Sequence, residues 1–334
     1  MSGKRTTIRD VARAAGVSVQ TVSRALNNKD YIHKDTRSRI LAEVERLHYR
    51  PSRVAQSFVT RRTFSVGLRL GDLGNPFFAD VLLGVQAVAA RSDYTILLNN
   101  TNPEQYSFPD SLALMSSQGV DGLILFMTNA TERELVDFVD QNGIPVVVVN
   151  EIIEHRLICP VWVDTGKAAS LAVGYLLDHG HTSVGMLANA NYSFPRSKRV
   201  RGYRNALESR GLPVNEDWII GANGTLEDGY AAAKKLLSGH PEVNALFTFN
   251  DLMAVGAVRA CWELGRRIPA DCAVMGFDNL PIASMTVPSL STVGYDRYDL
   301  GCKAMGRLHE MIENPGQEFQ PIELESGLVI REST

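Results

Sequence analysis

The 334-residue chain reads as an α + α/β protein, with a helix-turn-helix head followed by a larger α/β body built on two sheets. Three features predict this. The stretch Thr7 to Asn27, TIRDVARAAGVSVQTVSRALN, has the apolar period of two short helices with a tight break between them. From Phe64 onward, short β-branched runs of strand length alternate with helical segments. The charge is also divided. Residues 1–62 hold 14 Lys and Arg against 5 Asp and Glu, a balance of +9, whereas the remainder holds 20 against 32, or −12. A basic head on an acidic body is the electrostatic footprint of a polyanion that binds the head and is kept off the body.

In the head, Thr7 followed by Asp10 supplies a hydroxyl and a carboxylate for the open donors of a first helical turn. Ile8, Val11, Ala12 and Ala15 then form one apolar stripe, and Gly16 tolerates the left-handed backbone that ends a helix. Ser18 caps the second helix, whose inner face is Val22, Ala25 and Leu26. Val19, Gln20, Ser23, Arg24 and Asn27 are left facing outward. Gln20 and Arg24 lie one turn apart, the spacing needed to read base edges in a DNA major groove: the Gln amide suits adenine and the Arg fork suits guanine. Val19 offers an apolar contact to a thymine methyl. Thr7, Ser18, Thr21, Ser23, Asn27, Arg37 and Tyr49 suit phosphate and sugar contacts, which fix register rather than sequence. After a connector at Tyr31–Lys34, a third helix is predicted from Asp35 to Tyr49 on the stripe Ile40, Leu41, Val44 and Leu47, stopped by Pro51. The segment Ser52–Phe58 is too short to hold helix alone in water.

The body opens with FSVGLRL, YTILLNN, VDGLILFM and IPVVVVN as strands, with helices such as Phe77–Arg91 and Thr131–Gln141 between them. A second series follows: SVGMLA, NALFTFN and CAVMGFD, separated by helices near Ala168–Asp178, Arg199–Arg210, Leu226–Ser238 and Leu252–Leu264. Near-continuous apolar strands alternating with helices predict parallel sheets covered on both faces. Two such sheets predict two lobes with a cleft between them.

Several functional classes are disfavoured. With 45% apolar and 21% charged residues the chain is globular, and no run approaches 18 apolar residues, so no membrane span is expected. MSGKRTTIRD carries no apolar core of a secretory signal, which predicts a cytoplasmic protein. Cys159, Cys261, Cys272 and Cys302 form no C-x-x-C pair and read as reduced, buried thiols. Gly166-Lys167 lacks P-loop spacing, the glycines at 67, 71 and 74 do not fit G-x-G-x-x-G, and neither H-E-x-x-H nor G-x-S-x-G occurs. His179 and His181 flank Gly180 at a helix end rather than forming a metal site. No enzyme activity, metal or cofactor is expected. A free-standing solute-binding protein would share the cleft, but a basic head does not suit it.

TIRDVARAAGVSVQTVSRALN and the following TRSRILAEVERLHYRPSRVAQSF resemble the headpiece of the lactose-repressor (LacI/GalR) family of bacterial transcription regulators. The likeness continues more loosely to the C-terminus. It implies a helix-turn-helix DNA-binding headpiece at 1–51, a hinge helix and linker at 52–62, and an effector-binding and dimerisation domain at 63–334. That domain would have the two-lobed fold of periplasmic binding proteins and cross between lobes near Trp162, Ser291 and Leu324. The N-subdomain would hold about 63–161 and 292–323, and the C-subdomain about 162–291 and 324–334. Arg53, Val54, Ala55 and Phe58 match a hinge helix that enters the minor groove, with Phe58 where the family usually has Leu. Asn75, Phe77 and Phe78 in NPFF, Asp164 in VDTG, Arg199 in SKRVRGY, Asn250 and Asp251 in FNDL, and Asp278 in GFDN match ligand-binding positions. Planar Arg, Asn and Asp groups beside aromatic rings suit a polyhydroxylated ligand, a sugar or sugar derivative. Two departures argue against a close copy of any known pocket: Asn150-Glu151 stands where ribose-binding members end a strand on Asp-Arg, and Gly224 stands where others place a stacking aromatic. The implied protein is a ligand-controlled repressor that binds near-palindromic double-stranded operator DNA. It would be a homodimer, since no leucine heptad tail follows to staple a tetramer. A solute-binding protein and a purine-type sensor are the alternatives.

Overall fold

The computed structural model of the chain describes residues 6–26, 32–50, 62–71, 73–100, 107–126, 131–190 and 197–334, and its contacts fall into two units, residues 1–64 and 65–334. In the first unit, helices α1 (Ile8–Ala15), α2 (Val19–Leu26) and α3 (Lys34–Arg46) close over a small core of Val11, Ala12, Ala15, Val22, Ala25 and Ile40. α1 starts at its capping pair: the Asp10 carboxylate accepts the Thr7 N–H at 2.9 Å and the Thr7 hydroxyl at 2.7 Å. It stops at Gly16, whose φ of 63° lies in the left-handed region. Ser18 opens α2 by accepting the Thr21 N–H at 3.1 Å. Arg37 of α3 donates to the Ala25 carbonyl at 3.2 Å, satisfying an acceptor that the end of α2 leaves open.

The third helix differs from expectation in two ways. It ends at Arg46 rather than Tyr49, because His48 turns to a φ of 48° and breaks the spiral. Leu41 is 46% exposed. The buried line runs through Ile40, Val44 and Leu47, and Leu41 lies off that i, i+4, i+7 row. Asn27 and the hinge positions Arg53, Val54, Ala55 and Phe58 lie outside the described residues.

The second unit holds two sheets. β1 (Ser65–Leu70), α4 (Phe77–Arg91), β2 (Thr95–Asn100), α5 (Phe108–Ser117), β3 (Gly122–Phe126), α6 (Glu132–Asn142), β4 (Val146–Val149) and β5 (Ile158–Val163) alternate along the first. α7 (Thr165–Asp178), β6 (Val184–Asn189), α8 (Lys198–Glu208), β7 (Ile219–Ala222), α9 (Leu226–Gly239), β8 (Ala245–Thr248), α10 (Asp251–Glu263), β9 (Ala273–Phe277) and β10 (Ser291–Gly294) follow along the second. The chain then returns through α11 (Arg297–Glu313) and β11 (Ile322–Leu324) and finishes in β12 (Gly327–Val329). The sheet orders are β11-β5-β4-β3-β1-β2 and β12-β10-β9-β8-β6-β7. The first sheet is parallel throughout, and the second is parallel except for β12, which runs antiparallel to β10. That reversed edge was not legible in the sequence.

The chain changes sheets after Val163, after Gly294 and between Leu324 and Gly327. The second of these lies three residues beyond the expected Ser291, because residues 291–294 pair with both β9 and β12. α11 belongs to the first lobe and packs on α4 so closely that backbones touch. A Cβ added at Gly84 would stand 2.1 Å from the Tyr298 carbonyl oxygen, and one at Gly301 would stand 2.1 Å from that of Val81. Among the described residues, no helix is long and apolar enough to cross a membrane.

Candidate functional site

Val19, Gln20 and Arg24 are exposed on α2, while Val22 and Ala25 point into the head's core. Gln20 and Arg24, four residues apart, share one helical face. Ser18 and Thr7 are also exposed, and Thr21, Ser23, Arg37 and Tyr49 are half-buried around them. Some of these groups already serve the fold. The Thr7 hydroxyl gives its proton to Asp10, and the Ser18 and Thr21 hydroxyls meet at 2.9 Å, so one of that pair donates to the other. One N–H of Arg37 is taken by the Ala25 carbonyl. Burial against the head's core raises the Tyr49 phenol above its ordinary pKa. The arrangement is a rigid helix edge with an amide and a guanidinium in front and smaller polar groups behind.

In the second unit the strand ends converge on a seam of aromatic rings. Phe77 and Phe78 open α4, and both meet Phe126 at the end of β3 edge-on, with centroids 6.2 and 5.1 Å away. Phe77 also meets Tyr295 at 6.3 Å, and Tyr295 meets Phe277 at the end of β9 at 6.3 Å. The seam therefore runs from the first lobe, through the second crossing, into the other lobe. Arg199, on the first turn of α8, lies flat between two rings of the second lobe, 3.7 Å from Phe277 and 4.2 Å from Phe249. It donates to the Phe249 carbonyl and pairs with the Asp278 carboxylate at 3.5 Å, with 10% and 6% of the two side chains exposed.

Asp278 sits in a dense electrostatic setting. Tyr295 donates its hydroxyl to Asp278 at 3.3 Å. Burial pushes the Asp278 carboxyl up to about 6, against the pull of Arg199, Arg297 and Tyr295. Burial, then the neighbouring Asp278 charge, holds the Tyr295 phenol well above its usual value. Arg297, the first residue of α11, donates to Asp80 Oδ2 through Nε at 3.1 Å and Nη2 at 2.6 Å. Its Nη1 donates to the carbonyls of Asp278 and Asn279, the latter at 2.9 Å. Four charges thus alternate in sign along the seam between the lobes: Arg199, Asp278, Arg297 and Asp80.

Other anticipated ligand positions are occupied by structural work. Asp251 is 0% exposed, and its oxygens accept the Leu280 N–H and the Thr292 hydroxyl, each at 2.6 Å. Burial and the Asp278 charge raise it to about 7, and its two bonds join α10 to β10 and to the turn after β9. Asn250 is engaged in the same way. It is 2% exposed, its oxygen caps α10 at Met253, and its amide donates to the Gly224 carbonyl, both at 2.9 Å. Asp164 caps α7 through the N–H groups of Gly166 and Lys167, at 3.1 and 2.9 Å. Asn75 accepts the Phe77 N–H at 3.0 Å and opens α4. At Gly224, φ is 86°, a backbone region that L side chains rarely adopt, and an added Cβ would meet Asn189 Nδ2 at 2.7 Å. Among the described residues, no group of three or more His, Cys, Asp and Glu is placed to hold a metal.

Sequence reasoning missed Phe126, Phe249, Phe277, Tyr295, Asp80 and Arg297. A signal existed for the rings: Phe126 and Phe277 are the last residues of their strands and Phe249 is one past its own, the edge at which open α/β sheets take ligands. Asp80 and Arg297, 217 residues apart, gave none.

Comparison with known proteins matches residues 7–52 to "Bacterial regulatory proteins, lacI family" and residues 63–326 to "Periplasmic binding proteins and sugar binding domain of LacI family". The chain is 33% identical to catabolite control protein A of Priestia megaterium, over 98% of this chain and 99% of that protein. It is 31% identical to the HTH-type transcriptional repressor PurR of Pasteurella multocida, over 98% of each. Among solved structures it is similar to a complex of the transcriptional regulator CelR with cellobiose, with 27% identity, a TM-score of 0.74, and coverage of 99% of this chain and 100% of that one.

Proposed function

The chain belongs to the lacI family of bacterial regulatory proteins, and from that premise we propose that it is a dimeric transcription repressor whose grip on operator DNA is set by a sugar in the interlobe cleft. The observation that carries the DNA half is the exposed edge of α2 on a head of net charge +9. Arg24 forks onto a guanine, Gln20 onto an adenine, and Val19 meets a thymine methyl. Thr7, Ser18, Thr21, Ser23, Arg37 and Tyr49 hold the phosphates. Two heads on a two-fold dimer read a near-palindrome.

The ligand half rests on the balanced charge of the cleft. With Arg199 and Arg297 offset by Asp278 and Asp80, the site favours a neutral, hydroxyl-rich ligand over a phosphate ester. Arg199 and Asp278 bond adjacent hydroxyls, Phe77 walls the site from the first lobe, and Asn75 and Asp164 stand at its margin. A purine is the second reading. It needs a free ring face, and Arg199 already lies over both Phe277 and Phe249. The protein acts in the cytoplasm, where its DNA is, and carries out no catalysis.

The test is selection of bound duplexes from a random pool, followed by anisotropy titration of the enriched site. An enriched near-palindrome is the expected result, and a protein that binds every duplex alike overturns the DNA reading. Thermal shift with a panel of monosaccharides and disaccharides, beside guanine and hypoxanthine, tests the cleft. A sugar should raise the midpoint and change operator affinity. A shift from a purine alone overturns the sugar reading.

A further inference from the structure

Asp278 and Asn279 are consecutive non-glycine residues with φ of 106° and 50°. L-residues in this region are strained, and they stay there only where the surroundings hold them. Most of the restraints come from the second lobe itself. The Asp278 N–H donates to the Val293 carbonyl at 2.8 Å, the Asn279 N–H to the Thr292 hydroxyl at 3.3 Å, and the Leu280 N–H to Asp251 at 2.6 Å. Arg331, near the C-terminus, donates to the Asn279 side chain at 2.7 Å.

One restraint comes from the other lobe. Arg297 heads α11, and its partner Asp80 lies on the first turn of α4; both helices belong to the first lobe. The Arg297 side chain is 9% exposed, and the two ends of its guanidinium do different work. The Nε–Nη2 edge is fixed on Asp80, and Nη1 reaches from the first lobe to the carbonyls of the two strained residues. A planar fork can hold a carboxylate on one edge and aim another N–H in a set direction, which an ammonium cannot. An ion pair that merely steadied α4 against α11 would have no need of those carbonyls.

We propose that Arg297, oriented by Asp80, is a positioning residue that ties the first lobe to the strained Asp278–Asn279 turn and so sets where the Asp278 carboxylate stands in the cleft. The proposal deepens the cleft reading and rests on it for its purpose. Any opening of the lobes pulls Nη1 off the two carbonyls and frees the turn that aims Asp278 at Arg199. Lobe geometry and the ligand-facing carboxylate are then one coupled device rather than two.

Amide hydrogen exchange of the full chain, with no sugar and no DNA added, tests the coupling itself, so a failed ligand reading and a failed coupling give separate results. Asp80→Asn should speed exchange of the amides of residues 278–280, in the opposite lobe, by about tenfold, because opening there is local. Arg297→Met should do at least as much, Arg297→Lys should fall between, and Asp80→Glu should retain protection within about twofold. The amides of β8 should be unchanged in every variant. If Asp80→Asn loosens the start of α4 and leaves residues 278–280 at the wild-type rate, the coupling is refuted. Uniform acceleration through both sheets refutes it as well, since that is lost stability and not lost positioning.

Discussion

Replacing Arg199 by Met separates what its charge does from what its bulk does. Met keeps an unbranched apolar stem between Phe277 and Phe249 and deletes the cation that pairs with Asp278. Removing one partner of a buried ion pair costs about 3–5 kcal/mol when the other stays charged. Losing the guanidinium from two ring faces adds about 0.5–2 kcal/mol each, part of which the Met sulfur returns. The Asp278 carboxyl has an escape, because it can take up a proton. Its folded pKa is about 6, above the ordinary 3.8, so the folded state holds this proton more tightly than the unfolded one. Stability from this group is therefore fully present below about pH 4 and is lost as pH rises through 6. Arg199 opposes that rise, so its deletion moves the folded value further up and widens the window of lost stability. The penalty of Arg199→Met should thus be larger at pH 7.5 than at pH 5, by about 1–2 kcal/mol. Adding Asp278→Asn should recover most of that pH-dependent part. Urea unfolding followed by tryptophan fluorescence at both pH values measures it. An equal penalty at pH 5 and pH 7.5, or a double variant no better than the single, would refute the reasoning.

Arg24→Ala should weaken operator binding by about 1–3 kcal/mol per half-site and leave nonspecific binding in place, measured by anisotropy on the selected site and on a scrambled duplex. Equal weakening on both would make Arg24 a phosphate contact. If the dimer neutralises about 6–10 phosphates, affinity should fall by about 10³–10⁵ between 50 and 200 mM salt, and a flat salt titration would contradict the basic head as the docking surface. Gly84→Ala should destabilise the second unit by at least about 1–3 kcal/mol, since its Cβ meets backbone of α11 at 2.1 Å with no side chain to move aside. A thermal midpoint within one degree of wild type would show that the helices can part.

The head was almost wholly legible because its signals are local: the Thr7–Asp10 pair, Gly16 and Ser18 each act within one turn. Leu41 misled because an apolar residue beside a stripe looks like part of it until the core is seen to be small. The alternation of the body was legible for the same reason, whereas β11 and β12, three residues each, are set by the partners they pair with across the fold. At the seam the fold brings Arg199 and Asp278 together, whereas the polar groups of Asn250 and Asp251 bond within the second lobe. A polar residue at a strand–helix junction reads the same whether it caps or binds. What decided between these was the buried position of Thr292, Leu280 and Gly224, supplied by distant parts of the chain. The link from Asp80 to Arg297 is longer still, and no local pattern encodes it.

The return of the chain through α11 bears on the order in which the protein is made. Leu308 of α11 lies against β3, where a Cβ added at Gly122 would meet it at 2.7 Å. The part of the first sheet that α11 covers is therefore left open until roughly 150 residues after β4 have been added. At about 5–20 residues per second on the ribosome, that leaves part of one apolar face bare for about 8–30 seconds. The head is contiguous and can fold as soon as it emerges, but neither lobe is complete until the final stretch is released. A stalled or truncated nascent chain would thus present a finished DNA-reading module on an unfinished, sticky body, which makes this protein a natural client for chaperones that shield emerging chains.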